Sequence, residues 1–275
     1  MAAPAASKLH VEERGEGDPL LLIAGLGQGL WVWRYVARPL AERWRTIAYD
    51  ARGTGRSPRI DGSCSMHGFA EDAAEILADR PAHVVGLSMG GYVALTLALE
   101  RPELVRSLVL AGTGAGGPDR VPRPPEVRDG FEAALSLPYE EFVGATLHYA
   151  FAPGWTERNP ERMEEIVAAR LERPAGFDTI AAHADACYRY YAEGAEVERI
   201  RAPALVVHGD ADRIVPVENG RALAARLPNA EYVELPGAGH NLPLEDPETF
   251  SHLVLGFVRA RRAGSAINLP FRGAR

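Results

Sequence analysis

The chain contains 275 residues, of which 47% are hydrophobic and 24% are charged, and its formal net charge is −7. This length suits one α/β domain with an insertion, and the composition supplies enough apolar side chains for a large core. The negative charge argues against nucleic acid or an anionic membrane as the main partner, because both select a cationic surface.

The start of the chain and its cysteines are typical of a cytoplasmic protein. The first ten residues, MAAPAASKLH, lack the cationic head and the apolar block of about 7–15 residues that form a secretory signal. The uncharged run 84–99 is shorter than the roughly 20 residues that cross a membrane. Cys64 and Cys187 fit a reducing compartment without a disulfide framework, and a single bond between them stays open.

Short apolar runs alternate with helical patterns over the first 115 residues. This alternation predicts a mostly parallel sheet covered by helices on both faces, with the ligand site beyond the carboxyl ends of the strands. Lys8–Arg14 alternates in polarity and predicts an edge strand, whereas Leu20–Ala24 is apolar throughout and predicts a central strand. The further predictions are a helix over 30–43, a strand over 45–49, a helix over 69–79, the strand before Ser88, a helix over 92–99 and a strand over 105–110.

The pattern becomes helical between residues 116 and 202, with candidate helices over 131–135, 139–149, 160–171 and 176–191. Strands over 203–209 and 231–235 and helices over 217–227 and 247–262 follow. We therefore predict an α/β core of residues 1–115 and 203–262, a helical cap of residues 116–202 over the strand ends, and a loose tail of residues 263–275. Four aromatic side chains could line the pocket under this cap, although packing in the protein interior is the alternative for each: Trp31, Tyr149, Phe151 and Tyr188.

Ser88 lies at the junction of an apolar strand and a helix, in the motif Gly86-Leu87-Ser88-Met89-Gly90. So tight a turn strains the serine backbone and brings neighbouring main chain too close for a side chain at Gly86 or Gly90. The turn also directs the hydroxyl and the following N–H groups of the helix toward one point. The motif therefore predicts a nucleophilic serine; the alternative is a buried joint without chemistry.

A serine nucleophile needs a general base, and the base needs a carboxylate that holds it in one tautomer. Of the eight histidines, His240 alone follows a predicted strand inside a glycine turn, at the same end of the sheet as Ser88. A role as a turn-capping histidine is the alternative, and His208 is interpreted as a packed residue within its strand. Asp210 and Asp212 both follow the strand that ends at Gly209, and position alone does not choose between them.

Three motifs, Gly86–Gly91, Gly209–Pro216 and Gly237–His240, together resemble the α/β-hydrolase family over nearly the whole chain. The resemblance implies the α/β-hydrolase fold with an inserted cap, assigns the acid to Asp212, and leaves Asp210 as a turn residue. It also implies an oxyanion hole made by the backbone N–H groups of Leu26 and Met89. One departure is Ala24-Gly25, where many relatives have His-Gly, so the hydrogen bonding of this loop must differ.

Among capped members, the chain is similar to the enol-lactonase, non-haem haloperoxidase and carboxylesterase group. This similarity implies a serine hydrolase that cleaves a small carboxylic ester or lactone through an acyl-enzyme, with no cofactor and no metal. A C–C bond hydrolase of vinylogous diketones and a non-catalytic ligand-binding protein remain as alternatives. A small-molecule substrate is the expected partner, and the chain is expected to be a monomer or a homodimer.

Overall fold

The computed structural model describes residues 9–60 and 62–263, and one seven-stranded sheet runs through them. Its strands are β1 (Val11–Arg14), β2 (Pro19–Ile23), β3 (Arg45–Tyr49), β4 (Ala82–Leu87), β5 (Val105–Ala111), β6 (Ala204–Gly209) and β7 (Ala230–Leu235). They lie in the order β1-β3-β2-β4-β5-β6-β7. Only β1 is antiparallel to its neighbour, so the prediction of a mostly parallel sheet with an N-terminal edge strand is confirmed.

Eleven α-helices surround this sheet within the described part of the chain. They are α1 (Ala37–Ala41), α2 (Met66–Leu77), α3 (Met89–Glu100), α4 (Pro125–Ala134), α5 (Tyr139–Leu147), α6 (Trp155–Arg158), α7 (Pro160–Glu172), α8 (Phe177–Glu193), α9 (Val217–Arg226), α10 (Leu242–Glu245) and α11 (Pro247–Ala263). Side chains of α2, α3 and α9 form the core on one face of the sheet, and those of α1 and α11 form the core on the other.

Strand β2 shows why its residues are apolar at every position. Successive side chains of a strand point to opposite faces of the sheet. Leu20 and Leu22 belong to the core on the α11 side, Leu21 belongs to the core on the α2 side, and all three are fully buried. A strand covered on both faces needs apolar side chains throughout, and β2 is therefore internal, as predicted.

Helices α4 to α8 connect β5 to β6 and form what we call the helical insertion. It contacts several loops that follow the carboxyl ends of strands. The Arg213 guanidinium, beyond β6, donates to the carbonyl oxygen of His148 at 2.8 Å, and the N–H of Asn241, beyond β7, donates to the carbonyl oxygen of Ala150 at 2.9 Å. The insertion thus contacts the loops that follow the carboxyl ends of β6 and β7, and its role as a cap over the strand ends stays a prediction.

The prediction of one continuous helix over residues 30–43 is wrong. A 3₁₀ turn, Leu30–Trp33, is followed by irregular turns, and α1 begins only at Ala37. Pro39 explains the break, because proline has no N–H for the carbonyl oxygen four residues before it and its ring clashes with that carbonyl. Proline is tolerated only in the first turn of a helix, which is where α1 places it.

Several other element boundaries differ from the predictions. Helix α2 begins at Met66, three residues early, because Ser65 Oγ accepts a hydrogen bond from the Gly68 N–H at 3.0 Å and caps the helix. Helix α4 begins at Pro125 and not near residue 131, and the short helices α6 and α10 were not predicted. The tail predicted for residues 263–275 lies outside the described residues except for Ala263, the last residue of α11.

Two further questions from the sequence concern a disulfide bond between the cysteines and a helix that could span a membrane. Cys64 and Cys187 are both free and buried, so the structure contains no disulfide bond between these two residues, a possibility that the sequence had left open. None of the helices in the described ranges is long and apolar enough to cross a membrane.

Candidate active site

Ser88 occupies a strained turn between β4 and α3. Its backbone has φ 55° and ψ −119°, a conformation that residues other than glycine rarely adopt. A Cβ on Gly86 would collide with the carbonyl oxygen of Gly90, and one on Gly90 would collide with the carbonyl oxygen of Ile23. The close approaches predicted from the two glycines are therefore present, and they force Ser88 into this conformation.

The loop that follows β2 lies beside Ser88. A Cβ built on Gly25 would lie 3.3 Å from Ser88 Cβ, so this loop and the serine are in van der Waals proximity. The N–H groups of Leu26 and Met89 donate no hydrogen bond to any acceptor in the described ranges. Both N–H groups are available to a ligand, as donors to an oxyanion would have to be.

His240 is paired with Asp212 in the protein interior. Its Nδ1 lies 2.7 Å from Asp212 Oδ2, while Asp212 Oδ1 accepts hydrogen bonds from the N–H groups of Ile214 and Val215 at 2.8 and 2.9 Å. Burial acts to raise the pKa of Asp212, but the charge of His240 and the hydrogen bonds from His208 and His240 hold it well below its usual range. Asp212 is therefore an ionised carboxylate that orients the His240 ring.

Asp210, the other aspartate after β6, has a different position. Its Oδ1 accepts the Gly237 N–H at 2.6 Å on the surface of the protein, and it stabilises the turn before His240. This contact fits the turn role that the family resemblance implies.

The Ser88 backbone and the His240 ring both lie beside the end of β5 and the residue that follows it. The Ser88 N–H donates to the carbonyl oxygen of Ala111 at 2.8 Å, and a Cβ on the next residue, Gly112, would lie 3.0 Å from His240 Nδ1. Nδ1 faces Asp212, so Nε2 on the other side of the ring is free to act on a proton. No hydrogen bond joins Ser88 Oγ to the His240 ring in this structure; such contacts often tighten only when substrate binds.

The sequence matches a known family across this whole site. Residues 18–247 match the alpha/beta hydrolase fold family. The chain belongs to the α/β-hydrolase family. A protein named as a carbamate hydrolase, RutD, of Azorhizobium caulinodans is 33% identical over 253 residues, which cover 90% of this chain and 94% of that protein. A 2-hydroxy-6-oxononadienedioate/2-hydroxy-6-oxononatrienedioate hydrolase of Burkholderia vietnamiensis is 32% identical over 267 residues, 92% of this chain and 91% of that one.

A solved structure supports the same assignment. The thermophilic esterase of Thermogutta terrifontis, determined with malate bound, has a TM-score of 0.77 and 29% identity, covering 92% of this chain and 93% of that chain. Family membership and these relatives identify the chain as a hydrolase, and the resemblance inferred from the three motifs is confirmed.

Gln28 explains how this α/β-hydrolase holds the loop after β2, residues 24–29, with Ala24-Gly25 in place of His-Gly. We call it the oxyanion loop, after the role that the family resemblance predicts for it. The Gly25 N–H donates to Gln28 Oε1 at 3.0 Å, and Gln28 Nε2 donates to Asn241 Oδ1 at 3.0 Å. Both side chains are buried, Asn241 completely. The side chain of Gln28 therefore links the loop to the residue that follows His240, a role that sequence reasoning missed.

His183, from α8 of the hydrolase's insertion, also reaches the oxyanion loop. Its Nδ1 accepts the Gly27 N–H at 3.3 Å, and its Nε2 donates to the carbonyl oxygen of Arg52 at 2.9 Å. Burial lowers the pKa of His183, which keeps the ring neutral and Nδ1 able to accept. The sequence carried no local signal for this contact, because a histidine within a helical pattern can equally lie on the protein surface or in the core.

Glu245, at the end of α10, supports the His240 turn from the other side. One of its carboxylate oxygens accepts the Gly239 N–H at 3.0 Å and the Ala152 N–H at 3.3 Å. Burial raises the pKa of Glu245. The sequence analysis did not predict this role for Glu245. An acidic residue shortly after the His240 turn was nevertheless a signal, because a carboxylate can accept hydrogen bonds from N–H groups that no regular element pairs.

The four aromatic residues predicted to bind substrate occupy four different environments. Trp31 lines an open groove together with residues of β1, β3 and the end of α7, and Ser88, Asp212 and His240 are not among the residues of that groove. The ring of Tyr149 lies 4.0 Å from that of His148 with the two planes tilted by 39°, whereas the fully buried Phe151 ring stacks on Trp155 at 4.5 Å. Tyr188 is 66% exposed. Contact of any of them with substrate stays a prediction.

One group of potential metal ligands occurs in the described ranges. His67, Glu71 and Glu100 bring their ligand atoms within 4.8 Å of one another at the ends of α2 and α3. His67 and Glu100 are exposed and are hydrogen bonded to each other at 2.8 Å. The group is therefore explained as a surface ion pair with a neighbouring carboxylate.

Proposed function

We propose that this hydrolase cleaves a small carboxylic ester or lactone through an acyl-enzyme, with Ser88 as nucleophile, His240 as base and Asp212 as orienting acid. The observation that carries the proposal is the buried 2.7 Å contact between His240 Nδ1 and Asp212 Oδ2, beside the strained turn of Ser88. A serine hydroxyl is a weak nucleophile near neutral pH, and this pair supplies the base that activates it.

In the first half of the proposed reaction, Ser88 Oγ attacks the substrate carbonyl carbon while His240 Nε2 takes the hydroxyl proton. The carbonyl oxygen gains the negative charge and accepts hydrogen bonds from the N–H groups of Leu26 and Met89. The His240 imidazolium is stabilised by the Asp212 carboxylate and passes its proton to the departing alkoxide. The C–O bond to the alcohol breaks, and the acyl group stays on Ser88.

In the second half, His240 removes a proton from a water molecule, and the resulting hydroxide attacks the acyl carbon. The same two N–H groups again hold the oxyanion. Collapse of this intermediate releases the carboxylic acid, and His240 returns the proton to Ser88 Oγ. A lactone follows the same route, except that alcohol and acid stay in one molecule.

Carbamate hydrolysis is a second candidate, favoured by the 33% identity to the protein named as a carbamate hydrolase. A carbamate carbonyl can be attacked by the same serine and held by the same N–H groups, but nitrogen donation makes it less electrophilic than an ester. C–C bond hydrolysis remains an alternative, favoured by the 32% identical hydrolase of Burkholderia vietnamiensis.

The test compares an ester and a carbamate that share one chromogenic phenolate leaving group, with a thioester, a lactone and a vinylogous diketone assayed separately. We expect turnover of the ester or lactone, stoichiometric labelling by a fluorophosphonate probe, and loss of both in Ser88→Ala. Ser136→Ala is the matched control, because Ser136 is exposed and, within the described part of the chain, its hydroxyl bonds only the Ala133 carbonyl. Full turnover by Ser88→Ala would overturn the proposal, and a wild-type protein without turnover or labelling would favour the ligand-binding alternative.

A further inference from the structure

Two imidazole rings converge on one oxygen of Asp212. His240 Nδ1 lies 2.7 Å from Oδ2, and His208 Nε2 lies 3.2 Å from the same atom. The other oxygen, Oδ1, is already occupied by two backbone N–H groups. Each carboxylate oxygen thus faces two donors, and the carboxylate has no freedom to rotate.

The tautomer of His208 follows from its surroundings. Its Nε2 also lies 2.8 Å from the carbonyl oxygen of Val215, which can only accept, so Nε2 carries a proton. Its Nδ1 is buried with no partner in the described ranges, beside Gly220, where any Cβ would collide with it. A second proton on Nδ1 would be a buried N–H without an acceptor, and His208 is therefore the neutral donor.

We propose that His208 is a positioning residue that acts through Asp212 and sets the basicity of His240. This inference rests on the proposed function, in which His240 is the base. The single Nε2–H of His208 is shared between the Val215 carbonyl oxygen at 2.8 Å and Asp212 Oδ2 at 3.2 Å. Its contact with Oδ2 weakens the attraction of that oxygen for the His240 imidazolium. His208 itself neither gains nor loses a proton, while His240 accepts the single proton of Ser88.

Other charged groups near this pair come from β7, α9 and α10. Glu234 is the register partner of His208 on β7, and it is bound in turn by the Arg221 guanidinium at 2.7 Å. Glu245 on α10 interacts electrostatically with Asp212. None of these three residues is changed in the variants below, so a difference between variants reports on the His208 contact.

The experiment compares His208→Leu, which removes the donor, with His208→Gln, whose amide nitrogen reaches close to the position of Nε2. The pH dependence of kcat/KM for a chromogenic ester gives the pKa of His240 in the free enzyme. For His208→Leu we expect the acid limb to move up by about 0.5–1 pH unit and kcat to fall roughly tenfold, with KM unchanged. For His208→Gln we expect a limb within about 0.2 unit of the wild type, because a donor to Asp212 is retained.

Histidine NMR on the same proteins measures the pKa of His240 without turnover. His208→Asn serves where His208→Leu does not fold, since its shorter amide does not reach Asp212. A variant that lacks the donor but keeps the wild-type pKa of His240 would overturn the inference, as would a His208→Gln profile identical to that of His208→Leu. If either of these results is found while Ser88→Ala abolishes turnover, only the inference about His208 fails and the proposed function survives. Turnover that does not depend on Ser88 would overturn the inference and the proposed function together.

Discussion

Gln28 and Asn241 are separated by 213 positions in the chain, yet their amide groups share a buried hydrogen bond of 3.0 Å. The direction of this bond is determined by the Gly25 N–H, which requires Gln28 to present its oxygen to the loop. Gln28 then offers its nitrogen to Asn241, which must present its own oxygen. The oxyanion loop and the turn that carries His240 are therefore linked by one specific arrangement of two side-chain amides.

Replacement of Gln28 by Leu should lower both stability and kcat. The change leaves the Gly25 N–H and the Asn241 oxygen buried without partners, at a cost of about 1–3 kcal/mol for each group. A displaced oxyanion loop should reduce kcat about tenfold, less than the 10²–10³ expected for loss of a whole donor. Chemical denaturation and steady-state kinetics measure the two effects.

Asn241→Leu and the double variant complete the thermodynamic cycle. Because the double variant removes both members of the pair, it should cost about 1–2 kcal/mol less than the sum of the single changes. Additive losses in kcat and in unfolding free energy would contradict a functional link between the two residues.

Asp212→Asn should abolish most activity while leaving the fold intact. Its amide oxygen can still accept the Ile214 and Val215 N–H groups, and the His208 N–H keeps the Val215 carbonyl oxygen as its acceptor. The amide nitrogen then donates to His240 Nδ1. The ring is held in the wrong tautomer, and kcat should fall by about 10³–10⁴. Asp210→Asn is the matched control, because the Asp210 side chain bonds only the Gly237 N–H among the residues that the structure describes, and its kcat should stay within about twofold of the wild type. The reverse ranking would assign the acid to Asp210.

His183→Leu should weaken the contact between α8 and the oxyanion loop. Loss of the ring leaves the Gly27 N–H and the Arg52 carbonyl without their partner, and we expect a stability loss of about 2–4 kcal/mol with a several-fold lower kcat. His183→Asn can place its amide oxygen near the position of Nδ1 and should recover kcat more fully than stability. Equal kcat values for the two variants would show that the Gly27 contact does not position the loop.

His83 should make stability depend on pH. Burial and, to a smaller extent, the charge of Arg106 lower its pKa to about 4 in the folded protein, whereas the unfolded chain titrates near 6.5. The unfolded state therefore binds the proton first, and stability is lost as pH falls from about 6.5 to 4, by up to about 3 kcal/mol.

His83→Asn removes this titration and can keep a hydrogen bond to Ser107 Oγ, which lies 2.7 Å from the ring nitrogen. Urea unfolding of both proteins between pH 4 and 8 should show the stability advantage of the wild type shrinking as the pH falls. A difference that is constant with pH would contradict the assignment of a neutral, buried His83.

The strands and the serine turn were predictable because they depend on neighbouring residues. The apolar side chains of Leu20–Ile23 are enough to indicate a buried strand. The glycines on both sides of Ser88 indicate a close approach of neighbouring main chain, which this kind of turn always requires. The break at Pro39 was also readable in principle, since proline lacks the N–H that a continuous helix needs. The break was not predicted because the helical spacing of apolar residues over 30–43 was given more weight than the single proline.

The partners of buried polar groups were not predictable from the sequence. Gln28, His183 and Glu245 each bond a backbone N–H, and nothing in their neighbours indicates which one. Position along the chain likewise left Asp210 and Asp212 equivalent, until the structure paired Asp212 with His240 and placed Asp210 on the surface. The choice depends on which loops meet at the strand ends.

By itself the sequence determined the order of the strands and of the longer helices, the strained turn at Ser88 and the family, because each follows from short-range patterns of apolar residues and glycines. Only the tertiary structure decided how the loops after β2, β6 and β7 are held to one another and to the insertion. A buried hydrogen bond needs a donor and an acceptor within about 3 Å, and residues far apart in the chain reach that distance only when the whole sheet has formed.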